Sequence, residues 1–253
     1  MPMTDIAGEL PVDALKATPS QEIIHAGSRY LFADAAKAFG VHLDSQENDD
    51  WRTLLMLGYV IDELVDVDRR QDIGQQLRAV LAGDSFQYGP PELPARFRAY
   101  MAAQTDTRQA EILARLDQVS GFVDAQANST TVDELVAVQA QEAQLFAQVL
   151  SLPVEDRPDA AQRNRFNQWL QGFSRVGYLF DTLVDLQQDY EDGSSSVRPT
   201  FRAKAAIGRI TIKESLAAVR KTPPRLLGKV AVVGLKYQFL GKRPNLSNPA
   251  TKL

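Results

Sequence analysis

The chain has 253 residues, 44% of them hydrophobic and 24% charged, which is enough for one large domain with a substantial core. It has no cysteine, which excludes disulfides, thiolate metal sites and cysteine nucleophiles, and its two histidines, His25 and His42, argue against a histidine-built metal site. No apolar run is long enough to span a bilayer and no signal-peptide core opens the chain, so cytoplasmic residence is expected. The net charge of −4 is unevenly spread: residues 202–253 hold 12 Lys/Arg against Glu214 alone, whereas residues 1–201 hold 16 basic and 31 acidic residues. That split suits an anionic partner for the basic segment, or packing of that segment on the acidic body.

Helical periodicity dominates and no alternating strand pattern stands out, so the expected fold is all-α. Residues 1–20 read as a tail, 21–222 as one helical domain, and 223–253 as a basic amphipathic segment. Helices are predicted near 20–40, 48–70, 73–82, 91–103, 106–127, 131–151, 159–192, 212–221 and 224–240. Ser45 or Asn48 can open the second of these, and Gly83 can close the third. Gly89-Pro90-Pro91 is a loop, Thr131 with Glu134 has the form of a capping box, and Gly193-Ser194-Ser195-Ser196 ends the longest helix.

Two acidic motifs carry the chemistry. The first is Asp62-Glu63-Leu64-Val65-Asp66, and the second is Asp181-Thr182-Leu183-Val184-Asp185, continuing to Asp189. Four-residue spacing stacks the aspartates of each motif on one helix face, where like charges repel. Carboxylates in such apolar surroundings are costly unless their charge is compensated. An acidic solvent face would explain one motif; two together point to a cage of oxygens. Such a cage suits Mg²⁺, which binds one or two carboxylates together with substrate phosphates.

Tyr59-Val60-Ile61-Asp62-Glu63-Leu64-Val65-Asp66 resembles the first aspartate-rich motif of squalene and phytoene synthases, in the class I isoprenoid (terpenoid) synthase superfamily. Phe180-Asp181-Thr182-Leu183-Val184-Asp185-Leu186-Gln187-Gln188-Asp189 resembles their second motif. His25-Ala26-Gly27-Ser28 looks like the family's diphosphate-facing segment, and Asp133-Glu134-Leu135 like the start of its central cavity helix. The resemblance implies a class I terpenoid-synthase helical bundle around a central apolar cavity. It also implies Mg²⁺ at Asp62, Asp66, Asp181, Asp185 and Asp189, of which Asp62, Asp66, Asp185 and Asp189 are catalytic. The implied substrate is a linear prenyl diphosphate, farnesyl or geranylgeranyl.

The chain departs from squalene and phytoene synthases where their motif arginines stand: it has Tyr59 and Val60 before the first motif and Val184 within the second. Those arginines serve a second diphosphate. Their loss favours a single-substrate terpene synthase over head-to-head condensation. A non-catalytic relative acting as a lipid-binding or assembly factor is the third reading. Ser28, Arg175 and Arg198 are candidate diphosphate contacts, because a guanidinium fork can bind two phosphate oxygens. Tyr59, Phe146, Phe173 and Tyr178 are candidate cavity residues whose ring faces suit a carbocation. The C-terminal segment, with lysines among apolar residues, suits peripheral membrane contact. Nothing beyond charge points to nucleic acid.

Overall fold

The computed structural model describes residues 33–66, 72–156 and 159–228, which are 79% helical and contain no strand. The helices are α1 (Ala33–Ala38), α2 (Ser45–Asp66), α3 (Ile73–Ala82), α4 (Leu93–Ala102), α5 (Asp106–Asp117), α6 (Val119–Ala127), α7 (Val132–Ser151), α8 (Ala160–Glu191) and α9 (Phe201–Lys221). A 3₁₀ turn at Leu152–Val154 follows α7. None of the described helices is long and apolar enough to cross a membrane. The expected all-α class is observed.

Local chemistry sets most boundaries. Asp44 and Glu47 cap α2 reciprocally, each carboxylate accepting from the other's backbone N–H at 2.8 Å. Thr131 and Glu134 form the expected capping box on α7. Gly83 and Gly193 sit at φ 129° and 82°, conformations that a Cβ would disfavour, just past the ends of α3 and α8. Two expectations needed correction. The helix foreseen over 106–127 breaks at Gln118, whose N–H turns back to the Arg115 carbonyl. And α9 begins eleven residues before the predicted 212, because the Thr200 hydroxyl accepts from the Ala203 N–H and opens a helix that small residues had disguised.

The 32-residue α8 is the spine, packing α7 on one side and α9 on another. Its buried residues Phe166, Trp169, Leu170, Ser174, Leu179, Thr182 and Leu186 recur every three or four positions, so a single stripe faces inward along its length. Near its start an aromatic knot joins three helices. Trp51 of α2 meets Phe166 edge-on at 5.5 Å, Phe39 (just past α1) lies 5.9 Å from Trp169, and Phe173 stacks on Trp169 at 5.3 Å. The buried Trp169 indole N–H donates to Thr222 Oγ1 at 3.0 Å, tying the end of α9 to the knot.

That last bond gives a direct test. Thr222→Val keeps the side-chain shape but strands the indole N–H. Urea unfolding should show a loss of about 1–3 kcal/mol, the cost of an unsatisfied buried donor.

Candidate metal and diphosphate site

Contacts along α2 and α8 place the two acidic motifs at one end of the bundle. Trp51 touches Phe166 low on both helices. Higher up, Phe146 of α7 lies so close to Gly58 that a Cβ there would come within 2.9 Å of its ring, and it meets Tyr178 edge-on at 6.1 Å. Progress from Trp51 to Gly58 on α2 therefore parallels progress from Phe166 to Tyr178 on α8. The helices run the same way, with α7 between them. One turn beyond Gly58 the α2 backbone carries Asp62 and then Asp66, its last residue. One turn beyond Tyr178, α8 carries Asp181, Asp185 and Asp189.

The second motif opens onto a cavity of about 60 Å³. Its lining includes Asp181, Asp185, Asp189 and Asp192 from α8 and its C-terminal end, and Gln139 and Glu142 from α7. Tyr178, Thr182, Gln188, Ser194 and Gln126 complete it, and among the described residues no basic side chain lines it. Glu142 accepts from Gln126 Nε2 at 2.6 Å, so α6 steadies the wall. Leu135, Leu186, Val197, Ala203 and Ile207 form a small second core that fastens the starts of α7 and α9 to the end of α8. The loop between α8 and α9 is pinned by Ser196 Oγ donating to the Ala127 carbonyl at 2.6 Å.

Gln139 is the residue that sequence reasoning missed. It is only 8% exposed, and its Oε1 has no hydrogen-bond partner. A buried acceptor left unpaired among the described residues costs stability. A signal was available: Gln139 shares the four-residue stripe with buried Leu135 and Ala143, the polar member of an apolar face.

The donors gathered here are all oxygens, the set that hard divalent cations prefer. Among the described residues no three acidic or histidine side chains converge closely enough to hold a metal ion by themselves.

The remaining sequence candidates scatter. Arg175 does not line the cavity: its guanidinium pairs with Glu214 of α9 at 3.4 Å. Arg198 is exposed on the α8–α9 loop and is also absent from the lining. Phe173 belongs to the aromatic knot, on the Trp169 side, whereas Phe146 and Tyr178 meet directly beneath the acidic cavity. Ser28, and most of the basic C-terminal segment, lie outside the described residues, as do the side chains of Tyr59, Asp62 and Asp66.

A larger cavity, about 390 Å³, lies elsewhere, among Arg115, Gln118, Gln148, Ser151, Glu155, Asn167 and Gln171. It is framed by Glu155, which accepts hydrogen bonds from both Arg108 and Arg115. Burial pushes the Glu155 carboxyl upward, but those two guanidinium groups outweigh it and hold it below the usual glutamate range. This cavity has size without the acidic motifs; the smaller one has the motifs. No known protein family, curated protein or solved structure matches the chain.

Two outcomes follow. Gln139→Leu removes the orphaned acceptor, so thermal melting of the metal-free protein should rise or hold steady rather than fall, the pattern of a residue kept for binding. Because the folded pKa of Glu155 is depressed, its stabilisation is present above the unfolded value of about 4.3 and lost as pH falls through the folded value. Glu155→Gln should flatten that acid-side loss in urea midpoints measured across pH.

Proposed function

We propose that the protein is a Mg²⁺-dependent class I terpene synthase that ionises a linear allylic prenyl diphosphate and cyclises or rearranges the carbocation. The observation that carries this reading is the acidic cavity. Asp181, Asp185 and Asp189 line one oxygen-rich pocket with an unpartnered glutamine oxygen, at the bundle end to which α2 delivers Asp62 and Asp66. Those five aspartates would hold the metal, with Gln139 Oε1 a further oxygen in reach of the same space. Bound there, Mg²⁺ supplies Lewis-acid stabilisation of the charge that builds on a departing diphosphate.

The chain's own residues do the rest. A pocket lined by four aspartates and a glutamate suits recognition of a diphosphate through carboxylate-held cations. Arg175 is committed to Glu214 and Arg198 stands outside the lining, so neither of these two candidates supplies a second cationic cradle. That favours one diphosphate substrate over head-to-head condensation. Phe146 and Tyr178 beneath the carboxylates are placed to exclude water from the reacting carbon and to offer their ring faces to it.

One observation favours a second reading. The cavity has room for an ion and a polar head but not for a prenyl chain, and the Phe146–Tyr178 contact fills the space below it. A non-catalytic relative that binds lipid or serves as an assembly factor would have such an interior.

A product assay separates the readings. Purified protein with Mg²⁺ is offered geranyl, farnesyl and geranylgeranyl diphosphate in turn, with Asp62→Ala and Asp185→Ala alongside. The synthase reading expects a single-chain terpene and free diphosphate, lost by about 10²-fold or more in both variants, as when a group stabilising developing charge is removed. A product of doubled carbon number would restore head-to-head condensation. No turnover, together with no Mg²⁺-dependent ligand binding, would leave the non-catalytic relative.

A further inference from the structure

Helix α9 has an apolar face that the core does not use. It buries Ala203, Ile207 and Thr211, and turns Phe201, Ile212, Leu216 and Val219 outward at 88%, 63%, 55% and 47% exposure. Ile212, Leu216 and Val219 follow the i, i+4, i+7 spacing of one face, and Phe201 stands three turns earlier in line with them. Beside this stripe runs a basic ridge. Arg202, Arg209, Lys213 and Arg220 are separated by whole turns and all are exposed. The helix has one acidic residue, Glu214, which is engaged by Arg175 on the inner side.

We propose that this face of α9 docks onto an anionic lipid surface. Charge complementarity points to this occupant. The chain's own residues 229–253 contain five Lys/Arg and no acidic residue, so laying them against the ridge sets like charges together. A second copy in a two-fold contact would bring the ridge against itself. An anionic bilayer supplies both missing partners at once: counter-charge for the ridge, and an apolar layer at the shallow depth that Phe201 and Leu216 can reach. The contact is with the surface, since no described helix can span. It stands independently of the prenyl diphosphate reading.

The test uses the full chain and sedimentation with phosphatidylcholine vesicles, with or without phosphatidylserine. Binding is expected only where phosphatidylserine is present, weakening as salt rises. Two double variants, Ile212→Ser with Leu216→Ser and Arg209→Gln with Lys213→Gln, should each cut the partition coefficient about tenfold or more. Both alter exposed side chains, and unchanged circular-dichroism melting would establish that the fold is intact. A tail variant with Lys229, Lys236, Lys242 and Arg243 all changed to Gln should keep most of the binding. Failure of the wild-type chain to bind phosphatidylserine vesicles would overturn the proposal. So would wild-type binding by both α9 variants, or loss of binding in the tail variant alone.

Discussion

Burial of one apolar stripe along α8 is the constraint on which the remaining structure depends. The stripe runs from Phe166 to Leu186, and the helices on either side of it are held by different parts of the same surface. Its lower half closes with Trp51, Phe39 and Trp169 into an aromatic knot, the densest part of the core. Fully burying side chains of this size stabilises by about 1.5–3 kcal/mol each. The upper half is lighter, with Leu186 and Ile207 rather than tryptophans, and it is there that the chain accommodates half-buried aspartates.

The upper end of α8 concentrates negative charge. Four aspartates and a glutamate line a space of about 60 Å³, and among the described residues no basic side chain lines it. Two unit charges 4 Å apart repel by about 4 kcal/mol at an effective dielectric of 20. Elsewhere carboxylates are paired with arginines: Glu155 has two, and Glu214 has Arg175. Arg175 stands only six residues before Asp181 on the same helix, yet its guanidinium turns to Glu214 rather than into the acidic cavity. Gln139 adds one more oxygen to this largely acidic lining.

How much of this was legible depended on whether the signal was local. The all-α class, the bounds of α3, the capping box of α7 and the break at Gly193 follow from residues within a few positions of one another. The aspartate stripe of α8 was equally local, and the structure places all three of its members around one cavity. What failed needed tertiary knowledge. Arg175 was near the motif in sequence, but its direction is set by Glu214, thirty-nine residues away on another helix. Phe173 shares a helical face with the knot rather than with the cavity, and only the packing of Trp169 decides that. The early start of α9 was hidden because Ala205, Ala206 and Gly208 blur the periodicity that Ile207 and Thr211 obey. Gln139 was hidden for the opposite reason: it obeys the apolar period while being polar.

The charge asymmetry of the sequence acquires a spatial meaning through α9. This helix has its two faces committed differently. The inner one holds Leu183 and Leu186 of α8 in place, and thereby the wall that carries Asp181, Asp185 and Asp189. The outer one presents the apolar stripe and the basic ridge. A helix with side chains is only about 10 Å across, so whatever rests on the outer face of α9 lies about one helix diameter from α8. The acidic body and the basic segment 202–253 are therefore not simply complementary blocks that neutralise each other. If they were, the ridge of Arg202, Arg209, Lys213 and Arg220 would face α8, where Glu214 now sits, and the apolar residues would be the buried ones. The observed order is the reverse: Ala203, Ile207 and Thr211 face inward, while Phe201, Ile212, Leu216 and Val219 face outward beside the ridge. An outer face of that composition is the one the proposed lipid contact would use.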